Sequence, residues 1–151
     1  MNNRMTEKEK MLAGEVYSAV DPELLEELMV TREMLYEYNS LHPSETRRMK
    51  EILKDLLGHV ADDEFIINQP FRCDYGKQIS IGKRFFANFN FTVLDEARVT
   101  IGDDCFIGPN VSIYTACHST LLNVIAARSG PSLFLSAITY GLEVVSPSFQ
   151  E

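Results

Sequence analysis

The sequence predicts a mainly β protein: a parallel β-helix built from six-residue repeats, preceded by an α-helical N-terminal cap. Three observations carry this. First, Ile81-Gly82, Ala87-Asn88 and Val93-Leu94 begin three successive blocks of six. After two extra residues, Ile101-Gly102, Ile107-Gly108 and Ile113 resume the spacing. Second, a parallel series runs through Phe85, Phe91 and Ala97, then Cys105 and Val111. Sheet alternation would have a period of two and an amphipathic helix one of 3.6, so neither explains a period of six. In a β-helix, three short strands make one triangular coil. Each block buries an apolar residue, and the coils stack into one continuous core. Third, the helix-like patterns all lie before this run.

In the cap, residues 6–17 read as a short amphipathic helix. Thr6 and Glu9 have capping-box spacing, and Met11, Leu12 and Val16 fall near one face. Asp21-Pro22-Glu23 opens a second helix, with Asp as N-cap, Pro at the first helical position and an acid in the first turn. Leu24, Leu25, Leu28, Met29, Met34 and Leu35 supply its apolar face. It fades near Asn39, and His42-Pro43 ends it. Ser44 is placed to cap a third helix. Met49, Ile52, Leu53, Leu56 and Leu57 form that helix's buried stripe, and Gly58 is its stop. Packing is the role these helices are assigned, since they can cover the unpaired strand edges at one end of a β-helix.

A transition follows. Phe65-Ile66-Ile67 reads as a strand, Gln69-Pro70 as a bend, and Phe71 to Gly76 as a strand ending on a glycine turn. The expected division is a cap over 1–59, incomplete coils over 60–118 and a different tail over 119–151. That tail has no hexad, no Ile-Gly pair and no clear helix pattern. A β-helix halting there would leave its last coil uncovered, and this conflict with the first part of the chain needs a cause.

Composition narrows the function classes. A chain of 151 residues makes one domain with a small appendage, and 45% hydrophobic content argues against disorder. The net charge of −8 argues against non-specific binding to nucleic acid or an anionic membrane. Cys73, Cys105 and Cys117 are odd in number and lack CxxC spacing, so neither a disulfide framework nor a zinc ribbon is indicated. The opening MNNRMTEKEK carries no apolar leader segment, and no stretch reaches the length of a membrane span. A cytoplasmic protein is the expectation.

Several strings together resemble one family: TEKEKMLAGE, YNSLHPSE, PFRCDYG, FFANFNFTVLD and VTIGDDCFIGPNVSIYTACH. They are similar to the maltose and galactoside O-acetyltransferases of the bacterial hexapeptide-repeat superfamily, over about residues 5–118. The ANFN and YTACH strings are the specific part. The bare Ile-Gly repeat is shared by many left-handed β-helix enzymes. The resemblance implies a left-handed coil and a homotrimer with active sites between neighbouring subunits. It also implies acetyl-CoA as donor and a sugar hydroxyl as acceptor.

The tail departs from the family, whose His is followed by an RNSG-like string and further hexads. The neighbouring reading frame can restore them. Residues 138–151, ITYGLEVVSPSFQE, can be written in codons that read DNVWIGGGVTILPGV when shifted by one base. Residues 122–137 likewise yield AERNSGAEWAKPVFIR. Second bases are largely fixed by the amino acids, and all agree. A one-frame slip just after His118 is therefore the expectation. The nucleotide sequence around that codon tests it.

O-acetyl transfer needs a base to take the acceptor hydroxyl's proton, and histidine does this near neutral pH. Of three histidines, His42 and His59 lie beside helix boundaries and read as surface or capping residues. His118 follows the last hexad, and by resemblance it is the family's catalytic base. The resemblance also makes Asn88 an acceptor contact, with either Asp95 or Glu96 bonding sugar hydroxyls, Asp74 as a further polar contact, and Phe86 lining the pocket. Asn90 fits turn geometry as well as it fits a contact. Asp103-Asp104 reads as turn chemistry, not a metal site, and the cysteines read as small core hydrophobes. No Walker A motif or dinucleotide fingerprint is present. CoA-binding residues stay unassigned, because in the family CoA lies along later coils.

Two other functions compete. One is a catalytically impaired remnant that lacks the CoA-binding coils, with little activity and poor solubility. The other is a metal-dependent hydratase of the γ-carbonic-anhydrase kind. That needs several His ligands from the coils, and only His118 qualifies.

Overall fold

The computed structural model describes residues 5–115. Three α-helices come first: α1 (Glu7–Ala13), α2 (Pro22–Ser40) and α3 (Thr46–Leu56). Short strands follow: β1 (His59–Val60), β2 (Ile66–Ile67), β3 (Phe71–Cys73), β4 (Ile79–Ile81) and β5 (Phe86–Ala87). Then come β6 (Phe91–Leu94), β7 (Val99–Ile101), β8 (Phe106–Ile107) and β9 (Ser112–Tyr114). Each strand pairs in parallel with the strand three further along, giving the sheets β1-β4-β7, β2-β5-β8 and β3-β6-β9. They stack as in a left-handed β-helix.

The register sets the coil length. Ile79 pairs with Val99, Phe86 with Phe106 and Thr92 with Ser112, so one coil takes 20 residues. Two steps of six and one of eight make up that length. The two extra residues seen in the sequence fall at the corner after β6, and the same corner follows β3 one coil earlier. Ile79, Ile81, Phe85, Ala87, Phe91 and Val93 point into the second coil and are each at most 1% exposed. Phe71 and Phe91 stack along the axis with centroids 5.7 Å apart. In the third coil Val99 and Val111 stay buried, but Ile101, Cys105, Ile107 and Ile113 are only partly covered.

Tight corners repeat with the coil. Arg84, Asn90, Asp104 and Asn110 have φ of 53°, 61°, 54° and 60°. Asn and Asp tolerate this left-handed backbone because their short side chains bond locally. Asn90 Nδ2 donates to Asn110 Oδ1 at 2.9 Å across coils. Arg84 is the costly case. Its N–H donates to the Asp62 carboxylate, and its guanidinium pairs with Asp104 at 2.7 Å. Asp103 Oδ1 accepts the Lys83 N–H at 2.7 Å. Asp103 and Asp104 thus do turn chemistry.

The cap holds the first coil through polar side chains. Asn39 Nδ2 donates to Phe71 O while Asn39 Oδ1 accepts the Phe71 N–H, both at 2.9 Å. The Tyr38 hydroxyl donates to Ile67 O, and the Thr31 hydroxyl to Tyr75 O at 3.0 Å. Backbone groups at this end are therefore satisfied instead of exposed.

Four local expectations change. α1 is shorter than its pattern suggests, because Gly14, at φ 73°, ends it and leaves Val16 in a loop. Leu25 and Met29 on α2 face outward, since its buried stripe is Leu24, Thr31, Leu35 and Tyr38. Ser44 does not cap α3. Glu45 holds the N-cap position without a side-chain bond, and the Ser44 hydroxyl instead meets His42 Nδ1 at 2.8 Å. Gly58 is no helix stop. A Cβ there would lie 2.1 Å from Lys77 O, so glycine is required by the close approach of the next coil.

Candidate active site

The eight-residue corner after β3 and β6 gathers the acidic residues. Asp95 is fully buried. Its Oδ1 accepts the backbone N–H groups of Asp74 at 3.1 Å and Tyr75 at 2.9 Å, and its Oδ2 accepts that of Gln78 at 3.3 Å. Burial pushes its carboxyl above the usual carboxylate range, against the pull of the N–H groups around it. Asp95 is thus committed to holding the corner of the coil below. Thr115 repeats the device one coil on: its Oγ1 accepts the Ala97 N–H at 2.9 Å and donates to Leu94 O at 2.7 Å.

Glu96 is free of that duty, so the structure separates two carboxylates that the sequence left as alternatives. It is half-buried beside Asp74. Burial raises its carboxyl to about 7, and the hydrogen bond and charge of the Asp74 carboxyl push the same way, as does Asp95. Glu96 Oε2 is buried and meets no hydrogen-bond partner among the described residues. A neighbouring carboxylate disfavours a second negative charge, so Glu96 holds its proton more tightly. Tyr17, from the loop between α1 and α2, packs against the cluster of Met11, Leu24 and Tyr75. Burial first, then the charges of Glu96 and Asp74, hold its phenol above its ordinary value.

Asn88 and Phe86 lie elsewhere. Asn88 follows β5, at the corner between the second and third sheets, while Asp74 and Glu96 lie between the third and first. Asn88 Oδ1 accepts the Phe89 N–H at 2.8 Å, and Asn88 lacks the left-handed backbone of Asn90. Phe86 is on the outer face of β5, its ring 6.0 Å from that of Phe106. With Ile66, which is 53% exposed, these rings form an apolar column up one face. His42 sits in the α2–α3 turn and His59 on the exposed start of β1. His118 and Cys117 lie outside the described residues. Burial pushes the thiols of Cys73 and Cys105 up, which suits core packing over nucleophilic use.

Sequence reasoning missed Tyr17, because no motif marks it. Its signal is only visible in space, as the inward residue of a loop whose other apolar members face out. Among the described residues no group of three or more His, Cys, Asp and Glu is arranged to hold a metal ion. No described helix is long and apolar enough to cross a membrane.

A three-sided parallel coil with a helical cap and a carboxyl pair at one corner defines a hexapeptide-repeat protein of the capped class. Comparison with known proteins narrows this. The maltose acetyltransferase hexapeptide capping motif matches residues 10–61. Nodulation protein L of Rhizobium meliloti is 48% identical over 113 residues, covering 75% of this chain and 61% of that one. A maltose O-acetyltransferase structure from Clostridium difficile 630 superimposes with a TM-score of 0.75 at 40% identity, covering 78% of this chain and 62% of that one. A galactoside acetyltransferase in complex with coenzyme A gives a TM-score of 0.73 at 32% identity, with 78% and 58% covered. The chain belongs to the maltose/galactoside O-acetyltransferase family of hexapeptide-repeat proteins. It spans less than two thirds of the length of the curated relatives it matches.

Proposed function

We propose that this chain serves acetyl transfer from acetyl-CoA to a sugar hydroxyl, with His118 as general base and the Asp74–Glu96 corner as part of the acceptor site. The observation that carries the reading is that corner. Its carboxyl pair offers hydrogen-bond acceptors to a polyol, within a family that includes a structure bound to coenzyme A. In this mechanism the imidazole of His118 takes the hydroxyl proton as the oxygen attacks the thioester carbonyl, and the proton passes to the departing CoA thiolate. Acetyl-CoA enters as donor substrate, and no metal takes part.

The same reading takes the active form to be a homotrimer. Asn88 and Glu96 sit at different corners of one coil, so a single site using both is completed by a neighbouring copy. The exposed column of Ile66, Phe86 and Phe106 is the face such a neighbour would cover.

A second reading is a catalytically impaired remnant that lacks the CoA-binding coils. One assay separates the two. CoA release from acetyl-CoA is followed with maltose as acceptor, for this chain and for one whose residues after His118 are replaced by the neighbouring-frame reading. Transfer by the second chain and little by the first supports both the acetyltransferase chemistry and the frame slip. Acceptor-independent release, or none from either folded chain, counts against it.

A further inference from the structure

The carboxyls of Asp74 and Glu96 meet on a backbone that holds them together. Cys73 pairs with Val93 and Ile79 with Val99, so the two corners between the third and first sheets lie one coil apart. In the lower corner Asp74 and Tyr75 give their N–H groups to Asp95 Oδ1, and Gln78 gives its own to Asp95 Oδ2. Gly76 O accepts the N–H groups of Gly58 at 3.1 Å and Ile79 at 3.0 Å. Asp95, which ties the two corners, is fully buried and is the chain neighbour of Glu96. Backbone movement is therefore a costly way to part the two carboxyls.

The Glu96 carboxyl hydrogen-bonds to that of Asp74, and its Oε2 is buried with no partner among the described residues. No described cation offsets the pair, and Arg98, two residues on, is exposed. Two bare carboxylates repel here, whereas a protonated one donates to its neighbour and closes the pair. The charge of Asp95 favours the closed form too. The other titratable groups acting here are the phenols of Tyr17 and Tyr75, with Glu27 adding its charge at Tyr75. Both phenols are held above their ordinary value and stay protonated through neutral pH.

We propose that Asp74 and Glu96 form a proton-operated latch on the acceptor site, closed on each other when Glu96 is protonated and open to a sugar hydroxyl when it is ionised. The proposal rests on the acceptor-site reading above. In the closed form the pair spends a donor and an acceptor on itself. In the open form both carboxylates accept O–H donors, and such charge-assisted bonds are about twice as strong as neutral ones. Opening breaks one O–H bond, and its proton leaves to solvent. The raised carboxyl of Glu96, at about 7, puts the transition near neutrality.

The test is maltose binding to the full chain by calorimetry, from about pH 5.5 to about pH 8, in buffers of different ionisation enthalpy. The wild-type Kd should fall about threefold to tenfold as the pH rises. By linkage, binding near the transition should release a proton. Glu96→Gln, which cannot titrate but keeps His118, should show neither the slope nor the release. Asp74→Asn removes the like charge and should move the transition to lower pH. A pH-independent wild-type Kd without proton release overturns the latch and leaves the acceptor site standing, as does proton release that survives Glu96→Gln. No maltose binding by the folded wild type at any pH overturns both.

Discussion

The Asp95 carboxylate accepts the backbone N–H of Tyr75 at 2.9 Å, across one full coil of the helix. With the bonds to Asp74 and Gln78, this buried group supports three backbone N–H groups at a corner where no strand partner could. Asp95→Ala strands those donors and should cost about 2–4 kcal/mol, because an unsatisfied buried polar group carries its full desolvation penalty. Asp95→Asn keeps one acceptor oxygen and should cost about half as much. Urea unfolding of the two variants checks this. Equal, small losses would show that the corner stands without the carboxylate.

Glu96 predicts a pH dependence. Its folded value of about 7 lies above the 4.5 of a free glutamic acid, so the native state keeps a proton that the unfolded chain has released. Stability from this group is complete below pH 4.5 and declines as the pH rises to about 7. The loss is on the order of 1 kcal/mol after allowing for the water that reaches the half-exposed group. Glu96→Gln should flatten the slope and leave the variant more stable than the wild type at pH 8. Melting temperatures across that range decide it. Parallel curves for the two proteins would contradict the raised value of Glu96.

Gly82 and Gly102 occupy equivalent places in successive coils. A Cβ on Gly82 would lie 2.4 Å from Gly102 C and 2.5 Å from Asp103 N, whereas one on Gly102 meets nothing within 4 Å among the described residues. Gly82→Ala should therefore destabilise by about 1–3 kcal/mol, the usual cost of overpacking, and Gly102→Ala should be near neutral. When the neighbouring-frame sequence replaces the tail, Gly102→Ala should become costly too, because a further coil would then lie against it. Thermal unfolding of the four chains tests both halves. A neutral Gly82→Ala would mean that the coils are not stacked in this register.

Sites built from two copies can be complemented. In the chain carrying the neighbouring-frame tail, Asn88→Ala and Glu96→Gln should each reduce acceptor-dependent acetyl transfer by about tenfold or more. Mixed and refolded together, the two variants should regain part of the activity, since some sites would draw an intact Asn88 and an intact Glu96 from different subunits. Activity equal to the mean of the separate variants would place both residues in one subunit's site.

Much of this fold was legible because a β-helix writes itself locally. The Ile-Gly pairs, the paired phenylalanines and the two-residue excess after Leu94 translate directly into a 20-residue coil. Asp21-Pro22 likewise announces α2, since its signal lies within four residues. What escaped the reading depends on contacts between distant residues. Ser44 has every local mark of an N-cap, yet it turns to His42 instead. Neighbours in sequence, Asp95 and Glu96 take opposite roles because one aims at the coil below and the other at Asp74. Tyr17 carries no motif, and only the folding of the cap onto Tyr75 brings it to the corner.

The most direct test of the central claim is acceptor-dependent release of CoA from acetyl-CoA by the chain with its neighbouring-frame tail, with and without His118→Ala. Release that requires maltose and falls by a factor of at least about 100 in the variant is predicted, as for loss of a general base. Maltose-dependent release that survives His118→Ala, or no release from a folded protein that binds both substrates, would contradict it.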